Sequence, residues 1–266
     1  MLHFLYIARI DLSSIKTVQE LEEIARRDLE GKTLREIMPS IVDSDEATRV
    51  STKAFVGYVI EEGYFGIGKN NTAAADIEHL DVELKTSPLK LLKNGQLSVK
   101  EPLSLNIINY NSEYKNADIR ESSLYKKNKY VLFVWYVDDP SIPRSEYLIK
   151  YVFLWRMDDE VLSELSDDYH RILGHIKSGE AHHIHQHQHD YLTLCPKHSG
   201  TFKDPDCHKS KTTQPFSDVP AEVRAFRLKN RYMAKVIRRY LLANHPDQLD
   251  GFKEPKAFKS RTSAHV

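Results

Sequence analysis

Two apolar runs, KYVLFVWYVD at 129–138 and EYLIKYVFLWRMD at 146–158, most narrow what this chain can fold into. Each is dense in Val, Tyr, Phe and Trp, residues that fit a pleated, buried surface. A run apolar on both faces belongs in the middle of a sheet rather than at its rim. Trp135 and Trp155 fall inside these runs and are expected in the core, not on a base-stacking platform. No stretch approaches the roughly 18 apolar residues of a membrane helix.

Around these strands the pattern switches between periods. LDVELKT at 80–86 alternates apolar and polar residues and reads as a strand, and Asn94-Gly95 signals a hairpin turn. LSLNIINY at 103–110 and YLTLC at 191–195 also read as strands. Leu and Ile recur at helical spacing over 17–37, with a break near Gly31. A second helix, capped by Ser44 or Asp45, is expected to run to about Glu62, and a third to cover 158–177 from Asp158 or Asp159. Residues 196–218 read as a long polar loop, and 219–242 as mostly helix. The sum is one mixed α/β domain over 1–243, with helices around one sheet, and a loose C-terminal tail over 244–266.

With 266 residues, 41% of them apolar and 29% charged, the chain is neither disordered nor fibrous, and its 2 Cys cannot staple a disulfide scaffold. Two cysteines, and an N-terminus without the basic start of a signal peptide, predict a cytoplasmic protein with no membrane partner. The net charge is zero but uneven. Residues 1–62 carry 8 basic and 12 acidic side chains, whereas 197–240 carry 11 basic and 4 acidic. A basic stretch in a neutral protein is what a phosphate-binding face looks like; a solvated helix surface looks the same.

The chemistry sits in Ala75-Asp76-Ile77-Glu78-His79-Leu80-Asp81-Val82-Glu83-Leu84-Lys85-Thr86. On a strand Glu83 and Lys85 share one face, while Val82, Leu84 and Thr86 face a core. Asp76, near the start of the element, is placed to share a metal ion with Glu83. Two hard carboxylates, with the Leu84 carbonyl as an extra ligand, suit Mg²⁺, with Mn²⁺ as substitute. Such an ion polarises a phosphodiester and acidifies the attacking water, which a neighbouring lysine orients. Asp-x6-Glu-x-Lys is the PD-(D/E)xK nuclease spacing, with Ala75 in place of the usual proline; carboxylates and lysines also alternate on many solvated strands. Asp81 and Glu62 compete with Asp76 and Glu61 for the metal-facing positions.

STKAFVGYVIEEGYFG at 51–66 followed by ADIEHLDVELKTSPLK at 75–90 resembles the MutH family of DNA mismatch-repair and restriction endonucleases. KLLKNGQLSVKEPLSLNIINY at 90–110 and TTQPFSDVPAEVRAFRLKNRYMAKVIRRYLL at 212–242 resemble, within it, the catalytic N-terminal half of two-domain type II restriction endonucleases that cut at GATC. The resemblance implies a restriction-endonuclease-like α/β fold, a mixed central sheet flanked by helices. It implies catalytic roles for Asp76, Glu83, Lys85, Glu61 and Lys129, with Lys126 and Lys127 as alternatives to the last. It also implies Mg²⁺-dependent hydrolysis of double-stranded DNA at GATC, by two copies self-associating on the palindrome. The rival readings are a MutH-like strand-nicking enzyme and a DNA-binding module with a vestigial centre.

By the same resemblance Lys197 reaches the major groove, while Cys195 stands where MutH has an arginine. Arg227 takes the place of an aromatic that reads adenine methylation, and Lys229 matches a basic position. A glutamine such as Gln214 suits adenine, and Lys209 and Lys211 suit phosphates. Separately, HHIHQHQHD at 182–190 alternates histidines, and Cys195, His198, Cys207 and His208 are four candidate ligands for a structural Zn²⁺, though polar turns and reduced thiols explain both patterns.

Overall fold

The computed structural model describes residues 10–42, 51–68, 74–197 and 210–254. Four strands form the central sheet in the order β2-β1-β4-β5: β1 (Val82–Leu91), β2 (Leu97–Val99), β4 (Tyr130–Val137) and β5 (Ile149–Arg156). β1 and β4 run parallel and the other pairs antiparallel, so the sheet is mixed. β4 and β5 are the two apolar runs, and Trp135 and Trp155 are buried as expected. The turn between β1 and β2 carries Gly95 at φ +84°, the left-handed backbone that the Asn-Gly pair anticipates.

Both faces of the sheet are covered. On one, Val131, Phe133 and Trp135 pack with α4 (Asp159–Lys177) and α5 (Asn230–Asn244). On the other, Val82, Leu84, Leu132 and Val134 pack with α1 (Val18–Leu29) and α2 (Thr52–Gly57). A one-residue slip of β1 would exchange Leu84 for Glu83 in that second core. It would forfeit about 2 kcal/mol of apolar burial and turn a carboxylate into an apolar core, so the alternation fixes the register.

Several expectations are corrected. There is not one sheet: β3 (Leu103–Ile107), β9 (Arg224–Leu228) and β6 (Leu192–Pro196) form a second in the order β3-β9-β6. Most of the stretch 219–228, expected to be helical, is strand: 219–222 belong to β8, and 224–228 form β9, whose backbone is satisfied against β3 and β6 on either side. The supposed long loop contains β7 (Lys211–Gln214), which forms a hairpin with β8 (Ser217–Glu222). The expected domain end at 243 falls within α5, and residues 244–254 of the expected loose tail are packed, Phe252 buried and Lys253 N–H donating to the Leu97 carbonyl, while 255–266 lie outside the described residues. The cap expected at Ser44 or Asp45 lies outside the described residues; the described helix begins at Thr52, where Ser51 accepts from Ala54 N–H.

Candidate active site

The six-residue spacer between Asp76 and Glu83 is a closed turn. Ile77 and Val82 exchange backbone hydrogen bonds, each N–H donating to the other's carbonyl, and a short 3-10 turn at Glu78–Leu80 fills the gap. The chain therefore doubles back and sets Asp76 beside β1, where its Oδ2 accepts the Leu84 N–H at 3.0 Å. Asp81, its competitor, sits exposed in the turn at φ +54°.

On β1, Glu83 is buried and Lys85 half-buried. Lys85 Nζ donates to Glu83 Oε1 at 2.5 Å and to the Leu84 carbonyl at 3.2 Å. Glu83 Oε2 is buried without a hydrogen bond. Lys127 Nζ lies 3.8 Å from that oxygen. Burial pushes the Glu83 carboxyl up, against the pull of Lys85. A buried carboxylate oxygen with spare acceptor capacity, a backbone carbonyl and a second carboxylate are the hard oxygen donors that a divalent cation takes. The residues thus fit such an ion. Among the described residues, no group of three His, Cys, Asp or Glu side chains forms a metal cage, so the Leu84 carbonyl would have to serve as a ligand.

Glu61 comes from the other side. α2 runs into a wide π-helical turn at Tyr58–Tyr64, a distortion frequent at functional sites. Phe55, Val56, Val59 and Ile60 bury one side of this segment, which leaves Glu61 toward β1. A side chain at Gly57 would come within 3.4 Å of Glu61 Oε1. Burial pushes the Glu61 carboxyl up to about 7; Lys85 opposes the rise, and Asp76 and Glu83 add to it.

Lys129 is not brought to this centre. Its ammonium lies over the Tyr130 ring, 5.1 Å from the centroid. Lys127, weighed as an alternative, takes the place beside Glu83. It lies on α3 (Ser123–Asn128), which packs between β1 and β3.

Residues 65–168 match the family model described as "DNA mismatch repair enzyme MutH". The chain carries a domain of the MutH family. It is 33% identical over 217 residues to the type II restriction enzyme Sau3AI of Staphylococcus aureus, across 79% of this chain and 42% of that enzyme. It is 28% identical over 186 residues to the DNA mismatch repair protein MutH of Shewanella woodyi, across 69% of this chain and 77% of that protein. The chain thus spans less than half of the restriction enzyme it matches. The MutH domain has the restriction-endonuclease-like fold, and the mixed central sheet with flanking helices is that architecture.

The MutH-family recognition candidates fare unevenly. Lys197 follows β6, half-buried, its N–H donating to the Val223 carbonyl. Lys211 is exposed on β7. Arg227 lies on β9, not on a helix, and donates to Ser104 Oγ at 3.5 Å with its Nε buried and unpartnered. Lys229, at the start of α5, grips the His189 carbonyl. Gln214 is buried: it accepts the Ala181 N–H and donates to the Val219 carbonyl, with Nε2 also 2.9 Å from His182 Nδ1, so it cannot read a base. Lys209, His198, Cys207 and His208 lie outside the described residues. Cys195 is buried, its sulfur 3.6 Å from Ser104 Oγ.

The histidine run is not extended. It folds into two 3-10 turns, Ala181–His183 and Gln186–Gln188, and its rings do not converge as metal ligands. His189 is buried, with Nδ1 on the His185 carbonyl and Nε2 unpartnered, and burial lowers it to about 4. Sequence reasoning missed Asp168, a buried residue of α4 that accepts the N–H groups of Asp190, Tyr191 and Leu192. Nothing distinguishes it in the sequence from other acidic residues of an amphipathic helix.

Proposed function

We propose that this protein is a Mg²⁺-dependent endonuclease that hydrolyses double-stranded DNA at GATC as a type II restriction enzyme. The observation that carries the reading is the convergence of Asp76, Glu83, the Leu84 carbonyl and Lys85 on one strand edge within a MutH-family domain. Similarity to Sau3AI supports the restriction assignment, and GATC comes with the family resemblance.

Asp76, Glu83 and the Leu84 carbonyl would hold Mg²⁺, or Mn²⁺ in its place. A hard cation there supplies Lewis-acid polarisation of the scissile phosphate and acidifies water. The chain's own groups do the rest. Lys85 Nζ, already against two of the three oxygen donors, orients the attacking water and offsets negative charge on the phosphate. Lys127 balances the Glu83 charge. The Glu61 carboxyl is poised to hold or release a proton near neutrality.

Cutting both strands of a palindrome requires two such centres, so two copies act together on DNA. The alternative is a MutH-like nickase, favoured by the larger share of the mismatch-repair relative that this chain spans. Supercoiled plasmid carrying GATC is digested with Mg²⁺ or with EDTA, beside Lys85→Ala. Mg²⁺-dependent linear fragments ending at GATC, lost in the variant, support the restriction reading. Nicked circles alone turn the assignment to the nickase. No cleavage, with GATC duplexes still bound, leaves a binding module.

A further inference from the structure

With Gln214 buried, the groove-reading amide must come from elsewhere. The segment 181–190 between α4 and β6 is held with unusual firmness for a surface connection. Asp168 takes the N–H of its last residue, Asp190, and those of Tyr191 and Leu192 just beyond, Arg224 grips the Ile184 carbonyl, Lys229 the His189 carbonyl, and Arg231 the Asp190 carbonyl. Gln214 holds its first residue, Ala181. Side chains from α4, β7, β9 and α5 thus fix a short turn whose own residues Gln186 and His187 point outward and are exposed. Fixing the backbone of an exposed polar turn is what recognition requires, because a pre-ordered reader loses less entropy on binding.

That turn forms one wall of a groove of about 420 Å³, lined by Gln186, His187, Arg227, Lys229, Asn230 and Pro102. Arg227 lines it with a guanidinium whose Nε is buried and whose Nη2 lies 3.5 Å from Ser104 Oγ. The start of α5 opens on the same groove at Asn230 without a side-chain cap, a setting that suits a phosphate oxygen. The segment around Pro102 also contacts elements that carry the catalytic centre. Glu101, next to Pro102, is ion-paired with Lys53 on the helix that leads to Glu61. Asn106 of β3, the strand that Pro102 leads into, accepts from Asn128, the neighbour of Lys127.

We propose that Gln186 and Arg227 are a specificity pair that reads the adjacent guanine and adenine of the site from this groove. The Arg227 guanidinium donates to guanine O6 and N7. The Gln186 amide pairs with adenine, donating to N7 and accepting from N6. The assignment rests on the DNA-endonuclease reading above.

The test is binding of short duplexes in Ca²⁺, followed by fluorescence anisotropy, with GATC, a scrambled site, and GATC carrying 7-deazaadenine or 7-deazaguanine. Wild type is expected to lose about ten-fold in affinity for either analogue. Gln186→Ala should bind GATC about ten-fold more weakly and become indifferent to 7-deazaadenine while still penalised by 7-deazaguanine; Arg227→Ala should show the converse. Gln186 is exposed, so its variant should melt with wild type. If wild type prefers GATC over the scramble but Gln186→Ala keeps the full 7-deazaadenine penalty, the pair is overturned while the DNA reading stands. If wild type does not prefer GATC, both fall.

Discussion

Lys127 Nζ lies 3.8 Å from Glu83 Oε2, an oxygen that has no hydrogen bond of its own. The charge on Glu83 is therefore shared between two lysines, Lys85 on its own strand and Lys127 from α3. Lys127→Ala should lower the cleavage rate about ten-fold, close to 1.4 kcal/mol of transition-state stabilisation. Lys129→Ala should stay within about two-fold, since its ammonium rests on Tyr130. Single-turnover cleavage of a GATC duplex by the two variants decides which lysine serves the centre.

Asp168 ties the turn before β6 to α4 through three backbone N–H groups. Hydrogen bonds to a charged acceptor contribute about 1.5–3 kcal/mol each, and Asp168→Ala leaves three donors without their acceptor. We expect a loss of about 3–5 kcal/mol in urea denaturation, with Asp168→Asn intermediate. A loss under about 1 kcal/mol would mean that water replaces the carboxylate.

His189 is held neutral by burial, with its folded pKa near 4. The unfolded histidine takes up a proton at about 6.5, so its contribution is complete above that pH and is lost as pH falls toward 4. Comparing urea midpoints of wild type and His189→Gln at several pH values should show wild type losing up to about 3 kcal/mol more on acidification from pH 7 to 4. Parallel curves would remove His189 as the cause.

Gly179 has φ +74°, and a Cβ there would stand 2.5 Å from the Phe216 carbonyl oxygen at the tip of the β7–β8 hairpin. Strained backbone and a clash with main chain act together, so Gly179→Ala should cost at least about 2 kcal/mol. The fall in melting temperature measures it.

The sequence made the apolar strands and the helix capped by Asp158 legible because their signals are local: a buried run, an Asn-Gly turn, a carboxylate before a helical period. Glu83 and Lys85 were legible because a strand's period of two puts them on one face, whereas Asp76 reaches them only through the turn at Glu78–Leu80. The misreadings concern what the chain meets at long range. VPAEVRAFRL carries a spacing that helices share, but pairing of β8 with β7, and of β9 with β3 and β6, decides its state. Gln214 has the chemistry of a base reader, yet its surroundings turn it inward. Lys127 prevails over Lys129 because a helix and the strand after it aim neighbouring residues differently, which spacing cannot convey.

Glu83 pairs in register with Val131, and Lys85 with Phe133, across the parallel junction of β1 and β4. Parallel neighbours need a long crossover, and the β1–β2 hairpin pairs only Leu89–Leu91, so no local hairpin holds the Glu83–Lys85 end of β1 before β4 arrives. The carboxylate–lysine centre therefore has no lasting geometry in a chain that ends before residue 130. During synthesis the centre comes together only once β4 has been made, so assembling the central sheet and acquiring a working site are one event.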